Sequence, residues 1–136
     1  MHHPRLLLIL GSLALACGCN SGRQTVTGKV TYNDGDPVTA GTVIAEATID
    51  GKIVAIQGNI ESDGTFRMGG ASPGDGALPG SYKVLITPPS LSDFEKGQGK
   101  RPALGGKYGS FESSGLTLDV KPGQKNDLQV KVVRPK

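Results

Sequence analysis

The side chains best suited to nucleophilic or proton-transfer chemistry are few in this 136-residue chain, and they are oddly placed. Both cysteines, Cys17 and Cys19, stand directly behind an apolar run at residues 6–16, "LLLILGSLALA", while both histidines, His2 and His3, stand in front of it. A thiol can attack, ligate a metal or accept a modification, and its surroundings decide which. Past Cys19 the chain contains neither cysteine nor histidine, so Ser-His and Cys-His schemes and ordinary zinc sites lack an essential member. Carboxylates remain. Asp34 and Asp36 flank Gly35, and Asp50, Asp63 and Asp75 each precede a glycine, as turn aspartates do. Asp34 and Asp36 carry the oxygens that calcium favours, but the acidic spacing of a calcium-binding loop is missing, and a hairpin turn explains them more simply. The expectation is a chain with no catalytic set, no metal and no cofactor.

The cysteines take their meaning from the run before them. Arg5 supplies a short positive start, residues 6–16 an apolar stretch, and Ala16 with Gly18 the small side chains of a cleavage point, the layout of a secretory signal. The stretch falls short of the roughly 20 apolar residues a spanning helix needs. Here the chain resembles bacterial lipoproteins, whose lipobox reads approximately Leu-Ala-(Gly/Ala)-Cys. Both "LALAC", ending at Cys17, and "LACGC", ending at Cys19, fit that pattern in part. The resemblance implies removal of residues 1–16 and acylation of Cys17, or removal to residue 18 and acylation of Cys19. Residues 17–24 then form the lipidated start and a polar tether. The competing reading is an ordinary cleaved signal followed by an incidental Cys pair. The lipoprotein reading gives an exported protein held to a bacterial membrane, periplasmic or on the outer face, with the bilayer as its first partner.

Composition narrows the rest. The net charge of +3 falls by one when Arg5 leaves, and acids and bases are interspersed, so no field for steering nucleic acid is expected. With no cysteine in the body, an exported domain must rely on its hydrophobic core alone.

That core is written with a period of two. Val26, Val30 and Tyr32 alternate with polar residues. So do Val43, Ala45, Ala47 and Ile49; Val54, Ile56 and Ile60; Phe66 and Met68; Tyr82, Val84 and Ile86; Leu116, Leu118 and Val120; and Leu128, Val130 and Val132. Turn residues separate these groups: "NDGDP" at 33–37, "DG" at 50–51, "SDG" at 62–64, "PGDGALPG" at 73–80 and "KPGQKND" at 121–127. The expectation is all-β: a seven-stranded antiparallel β-sandwich over residues 25–136, with transthyretin-like or immunoglobulin-like Greek-key connections.

One connection is out of proportion. Residues 88–114 show no strand pattern, and loops beyond about 12 to 15 residues are usually functional or disordered. This stretch gathers Lys96, Lys100, Arg101 and Lys107 among glycines, with Phe94, Tyr108 and Phe111 nearby. Phe94, Arg101, Lys107, Tyr108 and Phe111 are therefore the candidate binding residues, a small platform for a polysaccharide or another envelope polymer. The alternative is that these aromatics dock the loop onto the core.

The stretches "VTGKVTYNDGDPVTAGTVIAE", "ESDGTFRMGG" and "LPGSYKVLITPP" resemble the carboxypeptidase regulatory-like domain, a transthyretin-like (prealbumin-like) sandwich. Gly28, Val30, Pro37, Val38, Asp63, Gly64, Phe66, Pro79, Gly80, Tyr82 and Val84 carry the resemblance. It implies architecture more than activity: such modules are non-catalytic, often exported, and accompany a larger client. No enzyme or transporter part is legible in this sequence, so an envelope protein is expected as partner. Transthyretin-like folds also include hydrolases of a purine-degradation intermediate, which need histidines and a C-terminal Tyr-Arg-Gly-Ser. His2 and His3 fall within the expected signal, so the part after it has no histidine, and it closes on "VVRPK" in place of that segment.

Overall fold

Each alternating group becomes a strand: β1 (Val26–Tyr32), β2 (Thr42–Ile49), β3 (Lys52–Asn59), β4 (Thr65–Arg67), β5 (Gly80–Thr87), β6 (Leu116–Val120) and β7 (Asn126–Val132). The structure is a computed structural model and describes residues 22–90, 92 and 102–136. Strands lie in two sheets, ordered β4-β1-β7 and β3-β2-β5-β6. The fold is all-β and sandwich-like, with a 3-10 turn at Gly106–Gly109.

The alternation works because one side chain in two faces the other sheet. Val26, Val30 and Tyr32 of β1 and Val130 and Val132 of β7 meet Val43, Ala45 and Ala47 of β2 and Tyr82, Val84 and Ile86 of β5, all buried. Fully burying each of the larger apolar side chains contributes about 1.5–3 kcal/mol. Valines and alanines make a thin layer, so the sheets close around a few bulky residues. Gly28 shows how. It faces the interior of β1, opposite Phe66 of β4. A Cβ at residue 28 would collide with the Phe66 ring and with the Leu128 carbonyl oxygen.

The expectation of wholly antiparallel sheets is incorrect. β1 and β7 pair in parallel along their whole length, from Val26 opposite Asn126 to Tyr32 opposite Val132. The remaining ladders are antiparallel. A period of two reports which face a side chain takes and is silent on direction. Each connection here reverses the chain, so the first and seventh strands run the same way, and as neighbours they can only pair in parallel.

The sandwich has two dissimilar ends. At one, residues 22–25 lie against the 68–79 connection and the 121–125 turn. Gln24 and Ala77 exchange backbone hydrogen bonds of 2.7 and 2.9 Å, and the Asn126 amide donates to the Thr25 carbonyl at 2.9 Å. The tight turn at Asp50 and Gly51 is at this end too, since Ile49 packs beside Gly80. At the opposite end are residues 33–41, the turn at 60–64 and the described parts of the long connection, residues 88–90 and 102–108. These are the tether end and the loop end.

Replacing Gly28 by alanine should lower stability by about 1–3 kcal/mol, the usual cost of overpacking. Alanine at Gly106, where nothing lies within 4 Å, should change it by no more than about 0.5 kcal/mol. Urea midpoints at unchanged slope are the measurement. Equal midpoints for the two variants would remove Gly28 from its role.

Candidate functional site

At the loop end, Tyr32 closes β1 with its ring buried, and its hydroxyl donates to the Ala103 carbonyl at 3.0 Å. Over that ring lies the guanidinium of Arg134, 3.7 Å from the centroid. Arg134 Nε donates to Asp34 Oδ2 and Nη2 to Asp36 Oδ2, each at 2.9 Å. The Asp36 amide also donates to Asp34 Oδ1 at 3.0 Å. These contacts hold the Asp34 carboxyl below its ordinary value, the Arg134 hydrogen bond foremost and the Asp36 amide next. The two carboxylates weighed as cation ligands thus face a guanidinium. Among the described residues no group of three or more His, Cys, Asp or Glu could hold a metal ion.

The binding residues expected from sequence are divided by the structure. Cys17, Cys19, Phe94 and Arg101 lie outside the described residues. Tyr108, in the 3-10 turn, is 3% exposed, and its hydroxyl accepts the Val133 amide at 2.9 Å. Lys107 reaches back over the outer side of that ring, Nζ 4.9 Å from the centroid. Phe111 is partly buried one turn later. The Ser113 hydroxyl donates to the Lys107 carbonyl at 2.7 Å, and the Ser114 hydroxyl to the Val84 carbonyl of β5. Residues 105–114 are therefore stitched to β5 and to the end of β7. Tyr108 docks the connection onto the core, and its ring is not free for a ligand to stack on.

A concavity lies elsewhere, at the corner where β3 meets β4. Gln57 and Gly69 exchange two backbone hydrogen bonds of 2.9 Å there, and a cleft of about 590 Å³ opens beside them. Gln57, Asn59, Glu61, Thr65 and Arg67 line one side and the glycine-rich segment 69–74 the other. One carboxylate shapes that segment. Asp75 accepts the Gly70 amide at 2.7 Å and the Ser72 amide at 3.3 Å, with Arg23 Nη1 3.7 Å away. The Gly70 amide is the main reason its carboxyl sits below the ordinary value. In sequence, Asp75 gave only a turn signal before a glycine. Its partners lie up to five residues upstream and on the tether, where no local spacing announces them. Carboxamides, a hydroxyl and one charge of each sign suit hydrogen bonding to a polar ligand.

The described end of the tether, residues 22–24, is part of the fold. Arg23 Nη1 donates to the Gly76 carbonyl at 3.0 Å, and the Gly123 amide donates to Gln24 Oε1 at 2.9 Å. No family model, curated protein or solved structure matches this chain.

Two predictions follow from the loop end. Tyr108→Phe deprives the Val133 amide of its acceptor and should cost about 0.5–1.5 kcal/mol in chemical denaturation. Because the folded Asp34 carboxyl is depressed, the clamp's contribution is present above the ordinary value of 3.8 and fades as pH falls through the folded one. In Arg134→Ala, the Asp34 titration followed by carbon NMR should move up toward that ordinary value. No movement would mean the guanidinium does not set it.

Proposed function

We propose that this chain is an exported, lipid-anchored module of the bacterial cell envelope, acting by binding or support and not by catalysis. Its sandwich is a transthyretin-like Greek key of the carboxypeptidase regulatory-like kind. The structural work done by the residues of that resemblance supports this. Gly28 admits Phe66. The Asp63 carboxylate accepts the Thr65 amide at 3.0 Å and its hydroxyl at 2.6 Å to close the Gly64 turn. Tyr82 is buried with its hydroxyl donating to Leu78 at 2.8 Å.

The anchor is supported by the sequence itself, the apolar run at residues 6–16 leading into small residues and Cys17 and Cys19. The chain joins the body at residues 22–25, so a lipidated Cys17 or Cys19 stands only a few residues from a rigid edge. At about 3.3–3.6 Å per extended residue, the acyl group is within roughly 11 Å of Gly22 from Cys19, or 18 Å from Cys17. Each methylene buried in the bilayer contributes about 0.8 kcal/mol, and two or three chains on one residue hold stably where one does not.

A second reading, binding of an envelope polysaccharide, is favoured by the polar cleft at Gln57 and Asn59 as well as by Lys107 and Phe111 on the long connection. Insoluble polysaccharide should then retain the protein and should lose it when Gln57 and Asn59, or Lys107 and Phe111, become alanine. A module that contacts only protein should pass through unretained.

The anchor is tested separately. Changing Cys17 and Cys19 together to serine should transfer the protein from the membrane fraction to the soluble one. Continued membrane association of that variant would end the lipoprotein reading.

A further inference from the structure

The walls of the cleft beside Gln57 and Gly69 are fixed by the fold itself. Asp75 pins the Gly70 and Ser72 amides on one side, and the paired Gln57 and Gly69 backbones hold the other. The free polar groups between them are planar and forked. The Gln57 carboxamide, the Glu61 carboxylate and the Arg67 guanidinium belong to exposed lining residues, and none of the three is engaged by a side-chain hydrogen bond or an ion pair among the described residues. Asn59 accepts the Thr42 hydroxyl at 3.4 Å and keeps its amide donors. Glu61 and Arg67 stand apart: the Glu61 amide donates to the Thr65 carbonyl at 2.8 Å, and Arg67 follows two positions along β4, about 7 Å farther. The charges bordering the cleft are balanced. Asp75 faces Arg23 at 3.7 Å. Asp63 and Lys29 lie on either side of Thr65, the first accepting its amide and the second opposite it in the β1–β4 ladder. Phe66 lines the cleft too, but it is 2% exposed and offers no ring to stack on.

We infer that the ligand of this cleft is a neutral, hydroxyl-rich glycan, and that polymers carrying a repeated charge of either sign are disfavoured. The inference rests on the polysaccharide reading above and names its substrate class. A forked side chain meets two adjacent hydroxyls at once: a carboxylate accepts from both, a guanidinium donates to both, and a carboxamide does one of each. Sugar rings supply such neighbouring hydroxyls along the whole polymer. A polyanion laid in the cleft is drawn to Arg67 but repelled at Glu61, and a polycation meets the reverse. Either one loses half of the hydrogen bonds open to a neutral chain, and with the border balanced no surplus charge compensates it. Without stacking, binding depends on these hydrogen bonds, so Glu61 and Arg67 each carry a large share.

Full-length protein is passed over four insoluble polymers at mildly acidic pH: cellulose and chitin, which are neutral; chitosan, the chitin chain with its ammonium groups uncovered; and cross-linked polygalacturonate. Cellulose or chitin should retain at least about fivefold more protein than either charged polymer, the scale of one hydrogen bond. Salt at 0.5 M should not release it, since screening acts on charge pairs and not on neutral hydroxyls. Glu61→Ala and Arg67→Ala, both at exposed positions, should each lower that retention by about fivefold or more with unchanged urea midpoints. A charged polymer that retains the protein as well as a neutral one does, release by salt, or retention indifferent to both substitutions overturns the neutral-glycan assignment and leaves the polysaccharide reading standing. Passage of the protein through all four polymers overturns both.

Discussion

How closely two sheets can approach decides most of what this molecule is. With a chain 4% aromatic and a layer dominated by valine and alanine, an interior of ordinary thickness would contain voids, and interiors do not tolerate them. Glycines relieve the crowding. Gly28 takes the face of Phe66, its partner on the neighbouring strand of the same sheet, and Gly58 of β3 takes the Arg67 carbonyl of β4, so close that a Cβ at either would overlap its neighbour. The first contact lets the Phe66 ring lie across β1 within the core, and the second draws the edges of the two sheets together. The cleft at that corner is a by-product of the same approach, because the 69–74 segment has to fold outward once Gly69 is paired to Gln57.

A thin core cannot also anchor long connections, and single polar side chains do so instead. Asp75 organises residues 69–76. Asn126, 6% exposed, ties the preceding turn by accepting the Lys121 amide at 2.9 Å and donating to the Lys121 and Gln124 carbonyls at 3.1 and 3.2 Å. Tyr32 and Tyr108 hold the long connection by one hydroxyl each. A buried polar atom left unmatched is expensive, so these anchors hold only if satisfied. Among the described residues no buried side-chain nitrogen or oxygen lacks a partner. The connections are accordingly specified without disulfides.

This division explains what the sequence discloses. Side-chain direction along a strand is local, so Val26, Val30 and Tyr32, or Tyr82, Val84 and Ile86, announce their buried face within a few residues. The parallel β1–β7 ladder is decided by the number of reversals across a hundred positions, which no window contains. Arg134 stands at the same remove from Asp34, and its exposed position in "VVRPK" carries no mark of the contact. Tyr108 had two open roles in sequence, platform or dock, because an aromatic beside glycines is compatible with either. The fate of its hydroxyl separates them, and that depends on Val133 arriving from the last strand. The cleft at Gln57 went unread for a related reason: its walls come from an edge strand and a glycine-rich turn, neither unusual alone.

The basic residues fall into two kinds of work. Arg134 and Arg23 each bind an acid and a second group besides, the Tyr32 ring in one case and the Gly76 carbonyl in the other. A planar guanidinium with donors in a fixed fork suits such multiple contacts, whereas an ammonium on a flexible stem is strongly hydrated and gains little from being pinned. Lys52, Lys121 and Lys125 accordingly stay in solvent at the tether end. Arg67 departs from this division: its side chain runs along Gly74 at the cleft, which Glu61 also lines.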